Sequence, residues 1–277
     1  MDEDAMLARF SRRPNLTLVG ALAIVVALGS PAAAPPGDLD TTFDGDGKLT
    51  TDFGDFDEAG GVSIQADGKI VAAGSAVSLT GFDFALARYN SNGSLDITFD
   101  GDGLVTLDFD AATDEARAVA IQADGKILAA GLAVLSGGNA EFGVARYNST
   151  GSLDTSFDGD GSATTDFAAD FDRVDAVAVQ GNGKIVAGGH AVVSGTVDFA
   201  LARYDPNGSL DTTFSGDGRV TTDFAGMDDV VFGVALQANK RIVVAGRVNN
   251  SGNYDFGLAR YTCLRRTSRP MSIPICP

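Results

Sequence analysis

An internal repeat of about 57 residues constrains the fold of this chain more than any other feature. The string Gly37-Asp-Leu-Asp-Thr-Thr-Phe43 returns with small changes at 93–99, 151–157 and 208–214. A second string, Ala-Arg-Tyr, recurs at the same interval and ends at Tyr89, Tyr147, Tyr204 and Tyr261. We therefore predict one domain, residues 35–261, built from four copies with boundaries 37–92, 93–150, 151–207 and 208–261.

Within one copy the pattern is that of β-strands. Residues 48–53, 62–65, 69–74 and 83–89 are short alternating or β-favouring segments, and none shows the 3.6-residue period of a helix. Asp67-Gly68 separates the second and third segments, and Asp-Gly is a strong signal for a tight hairpin turn. The fourth copy has Asn239-Lys240 at this place, which predicts a looser hairpin there.

Four short strands cannot bury both faces of a unit, so the units must pack on one another. This predicts an all-β, β-propeller-like fold of four repeats with about four antiparallel strands each. The first copy lacks a preceding Ala-Arg-Tyr strand, and the last copy lacks a following Gly-Ser-Leu-Asp segment. We expect the N-terminal segment to complete the last blade and close a monomeric ring. The alternative is a larger ring completed by a second chain, a dimer.

These motifs resemble a known family. The strings Gly-Ser-Leu-Asp-Thr-Thr-Phe, Gln-Ala-Asp-Gly-Lys-Ile-Val and Asp-Phe-Ala-Leu-Ala-Arg-Tyr-Asn, in this order, are similar to the delta-60 repeat of bacterial proteins. The resemblance covers about four-fifths of the chain. It implies a β-propeller-like fold in an exported protein, and it implies no activity.

The N-terminus has the pattern of a cleavable export signal, which we place at residues 1–34. Arg9, Arg12 and Arg13 precede an apolar run, 16–28, that is shorter than the ~20 residues of a membrane-spanning helix. Small residues follow the run, as they do before a cleavage site. We therefore expect an exported protein, located outside the cell, on its surface or in the periplasm, without a stable membrane span after signal removal. Met6 is an alternative start that would give a purely basic lead.

The charge balance and the residue types exclude several functions. The chain has 20 Lys and Arg against 37 Asp and Glu, a net charge of −17, which argues against a general nucleic-acid binder. It has one His and two Cys, so most His- or Cys-based catalytic and zinc sites are excluded. We predict no catalytic and no cofactor-binding residues. An irregular basic tail, 262–277, carries Cys263 and Cys276, which can pair in an oxidising compartment.

Acidic turns are the candidate metal sites. Asp-Gly-Asp-Gly follows Phe in three copies, and closely spaced carboxylates with Gly suit calcium. The candidate ligands are Asp44, Asp46, Asp100, Asp102, Asp158 and Asp160. The fourth copy has Ser215 at the first of these positions, and no bidentate Glu ends the motif. We favour the alternative interpretation, a Gly-rich connector with solvated carboxylates.

Residues that occur once in every copy are expected to serve the framework. They are Asp52, Asp108, Asp166 and Asp223, the arginines Arg88, Arg146, Arg203 and Arg260, and Lys69, Lys126, Lys184 and Arg241. We predict Asp–Arg bridges between neighbouring blades. His190 occurs in one copy only and is predicted to lie on the surface or rim.

Binding is expected where the copies differ. Segments 75–82, 132–141, 190–197 and 247–254 vary in sequence and length, and repeat proteins often place binding surfaces on such loops. The sequence thus predicts an exported structural or binding module for an extracellular protein or glycan. The alternatives are a propeller hydrolase or lyase with a central-channel site, and a calcium-dependent adhesin segment.

Overall fold

The computed structural model describes residues 36–110, 113–168, 171–224 and 226–262. The predicted signal peptide, the tail from residue 263 and the proposed Cys263–Cys276 pair lie outside these ranges. Two compact units are distinguished, Met1–Asp38 and Leu39–Pro277, and every strand belongs to the second. The described residues include no helical segment with the length and hydropathy needed to cross a bilayer.

Antiparallel strands form four sheets, which we number in chain order. The first sheet contains β1 (Asp57–Ile64), β2 (Ile70–Val77), β3 (Phe82–Tyr89) and β4 (Leu104–Leu107). The second contains β5 (Glu115–Ile121), β6 (Ile127–Val134), β7 (Ala140–Tyr147) and β8 (Ser162–Thr165). The third contains β9 (Asp172–Val179), β10 (Ile185–Val193), β11 (Thr196–Tyr204) and β12 (Arg219–Thr222). The fourth contains β13 (Val230–Leu236), β14 (Ile242–Asn250) and β15 (Asn253–Tyr261).

The sheets follow one another in a row, and their first strands lie side by side. β1 contacts β5, β5 contacts β9, and β9 contacts β13. Three buried clusters fill the spaces between successive sheets, for example Phe84 with Ile127 between the first and second. The other two clusters join the second sheet to the third and the third to the fourth. The all-β fold and its four repeated antiparallel sheets are therefore confirmed.

Each of the first three sheets crosses a boundary of the sequence repeat. The first sheet takes β1, β2 and β3 from the copy 37–92, but its outer strand β4 lies in the next copy. Residues 90–103 connect β3 to β4, and the Arg88 amide donates to the Gly103 carbonyl at 2.9 Å. Neighbouring copies are thus joined by shared sheets as well as by packing.

A β-bulge in the first strand of each sheet explains the small residues opposite it. The pairing of β1 with β2 shifts between Ala59 and Gly61, and the other three sheets have the same irregularity. A Cβ on Gly74 would overlap the Glu58 carbonyl. The equivalent glycines of the other sheets, Gly131, Gly189 and Gly246, meet the same obstacle. The crowding at these glycines is therefore within a sheet, where the bulge pushes a carbonyl inward.

The structure differs from the sequence-based expectation at the two ends of the array. The sheets do not close, and the fourth sheet has three strands among the described residues. The N-terminal segment lies on the first sheet instead of completing the last. Two contacts show this position: the Thr51 and Tyr89 hydroxyls are 2.7 Å apart, and the Asp44 amide donates to the Asn92 carbonyl. Residues 48–53, predicted as a strand, form none here.

The fourth hairpin is also not looser than the others. The Gly68 amide donates to the Gln65 carbonyl at 2.9 Å, and the Lys240 amide donates to the Gln237 carbonyl at 2.8 Å. Lys240 takes the left-handed conformation of the glycines it replaces, with φ of 66°. The turn is therefore retained, with a lysine in a backbone conformation that favours glycine.

Candidate functional site

The antiparallel order places two kinds of connection at opposite ends of every sheet. One end carries the turns before β2, such as 65–69, together with the acidic turns that precede the outer strands. The other end carries the hairpins between β2 and β3 and their equivalents, which are the predicted variable segments. We call them the turn end and the hairpin end.

The predicted metal ligands lie in exposed connectors at the turn end. Asp44, Asp100 and Asp158 are left-handed, with φ of 48°, 51° and 50°. The second carboxylate of each turn caps the chain two residues later, as in the 2.9 Å bond from the Leu104 amide to Asp102. The first aspartate also bonds to the equivalent connection of the next sheet, since the Asp100 amide donates to the Thr150 carbonyl at 2.7 Å.

These contacts give the acidic turns a structural role. Among the described residues, the groups of three acidic, His or Cys side chains close enough to share an ion do not include the turn aspartates. Calcium binding by Asp44, Asp46, Asp100, Asp102, Asp158 and Asp160 stays a prediction.

A buried ionic network recurs at the turn end. In the first sheet Asp96 accepts bonds from Arg88 at 2.7 Å and from Lys69 at 2.6 Å. The same network joins Arg146 and Lys126 to Asp154, and Arg203 and Lys184 to Asp211. Each arginine also covers the ring of a phenylalanine, Phe99, Phe157 or Phe214.

The arginines were predicted to pair with aspartates across neighbouring blades, and this is only partly what they do. Arg88 pairs with Asp96, eight residues away in the β3–β4 connection of its own sheet. Its link to the next sheet is a bond to a main-chain carbonyl, that of Ser149 at 2.6 Å. The aspartate partner belongs to the Gly-Ser-Leu-Asp motif, because that motif turns back over the end of β3.

The network determines the protonation of its carboxylates. Burial alone would raise the pKa of Asp96, but the bonds from Lys69 and Thr98 and the charge of Arg88 hold that pKa well below its usual range. The pKa of Asp154 is low for the corresponding reasons. These aspartates therefore remain ionised and paired throughout the physiological pH range.

Acidic side chains also gather near the hairpin end. Asp83, Asp108 and Asp114 offer carboxylate oxygens that all lie within 4.8 Å of one another. Burial, followed by the charges of Asp108 and Asp83, raises the pKa of Asp114 to about 6 despite two backbone hydrogen bonds. Asp172, buried near Asp166 and Glu141, has its pKa raised to about 6 in the same way. Asp108 and Asp166 recur in the sequence, but these groups are not evident from it, because their members come from separate strands and loops.

One charged cluster breaks the repetition of the sheets. The bulge position in the first strands is occupied by Gly60, Arg117, Asp175 and Phe232 in turn. Arg117 lies 3.4 Å from Asp175, and Arg173 lies 3.0 Å from the same carboxylate.

His190 completes this cluster, and its predicted surface position is wrong. The ring is buried, its Nδ1 lies 3.0 Å from Asp175, and it stacks on Phe171. The bulge in β9 brings Asp175 to face the middle of β10, an offset that sequence spacing does not show. Within the part of the chain that the structure describes, this cluster brings together polar residues that do not recur from copy to copy.

Comparisons with known proteins agree with the fold. Residues 65–99, 122–157, 180–214 and 237–262 match the model of a family described as a domain of unknown function (DUF5122) with a β-propeller fold. One matched segment begins in each copy. Each of the first three segments starts in the turn between the first two strands of a sheet and ends at the phenylalanine before an acidic turn. The delta-60 assignment stays a prediction. A comparison with curated protein sequences found no match.

The solved structures that match this chain do so with low sequence identity and low TM-scores. A protein of unknown function from Dyadobacter fermentans is 12% identical, with a TM-score of 0.40 over 69% of this chain and 56% of its own. A mannose phosphorylase from Leishmania mexicana, MPT-4, is 12% identical with a TM-score of 0.39, over 72% of this chain and 65% of its own. A hypothetical protein from Leishmania major is 11% identical with a TM-score of 0.37, at the same coverage.

This chain thus spans 56% to 65% of the length of these structures. With its four matched segments and four repeated antiparallel sheets, it is a repeat protein of the β-propeller type.

Proposed function

We propose that this protein is an exported binding module whose repeated sheets form a scaffold and whose hairpin end contacts an extracellular protein or glycan. The observation that supports this is the variation at the bulges midway along the first strands, where Gly60, Arg117, Asp175 and Phe232 occupy equivalent places. A framework role would favour the same residue in every sheet, as it does for the buried arginines at the turn end.

Side chains at the bulges and at the hairpin end suit a polar ligand with an apolar face. The Arg117 side chain is 41% exposed beside the cluster, and Phe171 is 40% exposed next to His190. In the fourth sheet the Arg247 guanidinium lies 4.6 Å from the centre of the exposed Tyr254 ring. An aromatic face beside hydrogen-bond donors is a common arrangement for recognising sugars and protein loops.

A glycan array that includes neutral and carboxylated oligosaccharides tests the binding role. The full chain is compared with Arg117→Ala and with Lys126→Ala, which also removes one positive charge but lies at the turn end. We expect signals that fall at least tenfold in Arg117→Ala and remain in Lys126→Ala. Equal signals for all three proteins would contradict recognition at the hairpin end.

Export is tested in cells that produce the full chain. We expect the protein in the extracellular, surface or periplasmic fraction, with a mature N-terminus shortly after Ala32 or Ala34. An uncleaved protein in the cytoplasm would contradict export. The glycan array tests the binding role independently of this result.

Calcium dependence is the second candidate, because Asp83, Asp108 and Asp114 bring three carboxylates together. Thermal melts in EDTA and in calcium chloride, at matched ionic strength, are compared for the full chain, Asp83→Asn and Asp102→Asn. A calcium-induced rise that disappears only in Asp83→Asn would assign the ion to the acidic group, and one that disappears only in Asp102→Asn would assign it to the turns. Identical melts in both solutions would contradict this candidate.

A further inference from the structure

The outer edge of β15 has no strand beside it among the described residues, unlike the edges of β3, β7 and β11. Its side chains are exposed where their equivalents are buried. Phe256 is 93% exposed and Leu258 is 63% exposed, whereas Phe199 and Leu201 at the same places in β11 are fully buried. Arg260 is likewise exposed, although Arg203 is buried. The fourth sheet thus presents an apolar edge whose outward main-chain groups pair with no strand among residues 36–262 as described.

The segment 37–53 has the sequence of the missing strand and its connection. Lys48-Leu-Thr-Thr-Asp-Phe53 corresponds to Arg219-Val-Thr-Thr-Asp-Phe224, which contains β12 and lies beside β11. The turn before it already has the geometry of the other turns, because the Phe43 amide donates to the Asp40 carbonyl and the Gly47 amide to the Phe43 carbonyl. A segment with the sequence of an outer strand and a strand-accepting edge are therefore both present, at opposite ends of the row.

We propose that segment 37–53 of one copy adds to the edge of β15 in a second copy, and that two copies exchange these segments reciprocally. The register follows from the third sheet, where Phe199 pairs with Thr222 and Ala202 with Arg219. By the same register Thr51 would lie opposite Phe256, and Lys48 opposite Ala259. The contact is heterologous, and a reciprocal pair fills both open ends of both chains.

The side chains on the two ends are complementary in charge. In the complete sheets the arginine before the final tyrosine lies 2.6–2.7 Å from the aspartate of Gly-Ser-Leu-Asp and covers the following phenylalanine. At the open ends the corresponding groups are Arg260 on one side, and Asp40 with Phe43 on the other. Docking would rebuild this network between chains.

The aromatic contacts are complementary as well. Phe84, Phe142 and Phe199 each contact a phenylalanine that follows the outer strand, with ring centres 4.8–5.0 Å apart. The corresponding residues at the open ends are Phe256 and Phe53. The inner strands at the ends also expose apolar side chains, with Val62 and Ile64 of β1 each 69% exposed and Phe232 of β13 56% exposed.

A charge exchange at the new ion pair tests the proposal on the full chain. The native mass is measured by light scattering at about 0.15 M salt, where long-range repulsion between the acidic chains is screened. We expect twice the 28.4 kDa of one chain for the unaltered protein, and the mass of one chain for Arg260→Asp and for Asp40→Arg. An equimolar mixture of the two variants should regain the double mass, because each interface of the mixed pair then joins opposite charges.

Asp124→Arg is the matched control, since it makes the same charge change at an exposed turn of the second sheet and should leave the mass doubled. A single-chain mass for the unaltered protein would overturn the proposal. This includes the case in which the ring closes within one chain. A mixture that stays at the single-chain mass, or a series of larger assemblies, would overturn reciprocal exchange.

A disulfide test covers the case in which the charge variants do not fold. Because the Arg203 amide bonds to the Gly218 carbonyl, the next pair, Ala202–Arg219, is a non-hydrogen-bonded pair with close side chains. Its counterpart is Ala259 with Lys48. In a Cys263→Ser, Cys276→Ser background, chains with Lys48→Cys mixed with chains carrying Ala259→Cys should form a mixed disulfide under mild oxidation. Lys48→Cys with Tyr254→Cys is out of register, and equal cross-linking of both mixtures would contradict the register.

Discussion

At the scale of single residues, Lys240 shows how the fourth copy keeps a turn without its glycine. The left-handed conformation costs a lysine about 1 kcal/mol relative to glycine. The hydrogen bonds of the turn are nevertheless retained, so the conformation of Lys240 lowers the stability of the fourth hairpin by this amount.

Lys240→Gly should therefore stabilise the protein. We expect a gain of about 1 kcal/mol in the free energy of unfolding, which raises the melting temperature by about 2–4 °C in a domain of this size. Gly125→Lys is the matched reverse change, because Gly125 has φ of +85° and open space around its Cβ, and it should lower the melting temperature by a similar amount. A lower melting temperature for Lys240→Gly would show that the lysine side chain contributes more than its backbone costs.

Arg146 belongs to the same scale, because one guanidinium serves several partners. It bonds to Asp154, to Ser156 and to the Pro206 carbonyl of the next copy. Arg146→Ala should reduce the free energy of unfolding by about 3–5 kcal/mol, since it leaves a buried carboxylate short of partners. Lys126→Ala removes the more exposed cation from the same carboxylate and should cost less than half as much in a denaturant titration. Equal losses for the two variants would mean that the burial of Arg146 does not increase its contribution to the free energy of unfolding.

At the scale of elements, the β-bulge determines which residue the neighbouring strand can carry. The carbonyl of Glu115 projects to the place where a side chain of Gly131 would begin. Strand propensity alone would favour a larger residue at this position.

Gly131→Ala should therefore destabilise the second sheet. We expect a loss of about 2 kcal/mol or more, because the overlap is with main-chain atoms that must move. Gly137→Ala, at a loop glycine with open space around it, should change the free energy of unfolding by less than about 0.5 kcal/mol. A similar small change for Gly131→Ala would mean that the bulge can shift along β5.

The elements show how far the sequence determines this fold. Strand positions and hairpin turns follow from short-range patterns, and β2 and β3 lie close to the predicted segments. The bulges, the acidic group around Asp114 and the contact of His190 with Asp175 depend on register between strands. Register is a property of pairs of segments, and a single copy of the repeat does not contain it. The residues at the bulge positions differ between the copies. The sequence does not show, however, that Arg117 and His190 both come close to Asp175.

At the scale of the whole molecule, two populations of carboxylates respond to pH in opposite directions. Asp114 and Asp172 have pKa values raised to about 6, so between about pH 4 and pH 6 the folded chain binds more protons at these sites than the unfolded chain. Their contribution to stability is therefore present at low pH and is lost as the pH rises through 6. Asp96 and Asp154 have lowered pKa values, and their contribution is present above about pH 4 and is lost in stronger acid.

The melting temperature should consequently rise by about 3 °C or more when the pH is lowered from 7 to 5. Scanning calorimetry on the double variant Asp114→Asn, Asp172→Asn should show a smaller rise, whatever its absolute stability. Asp124→Asn, an exposed turn residue, serves as the control and should keep the full rise. An unchanged pH response in the double variant would assign the effect to the net charge of the chain.

The offset between copies and sheets has a consequence for the order in which the chain folds as it is synthesised. The first sheet lacks its outer strand until the first 15 residues of the second copy have emerged, and the same delay applies to the second and third sheets. Each of these sheets can then be completed only after part of the next copy has been synthesised. Each completed sheet provides a surface on which the next sheet packs. The fourth sheet, whose outer strand would come from another molecule, finishes only when two chains meet. The last step of folding in this protein would then be bimolecular, with a rate that depends on concentration.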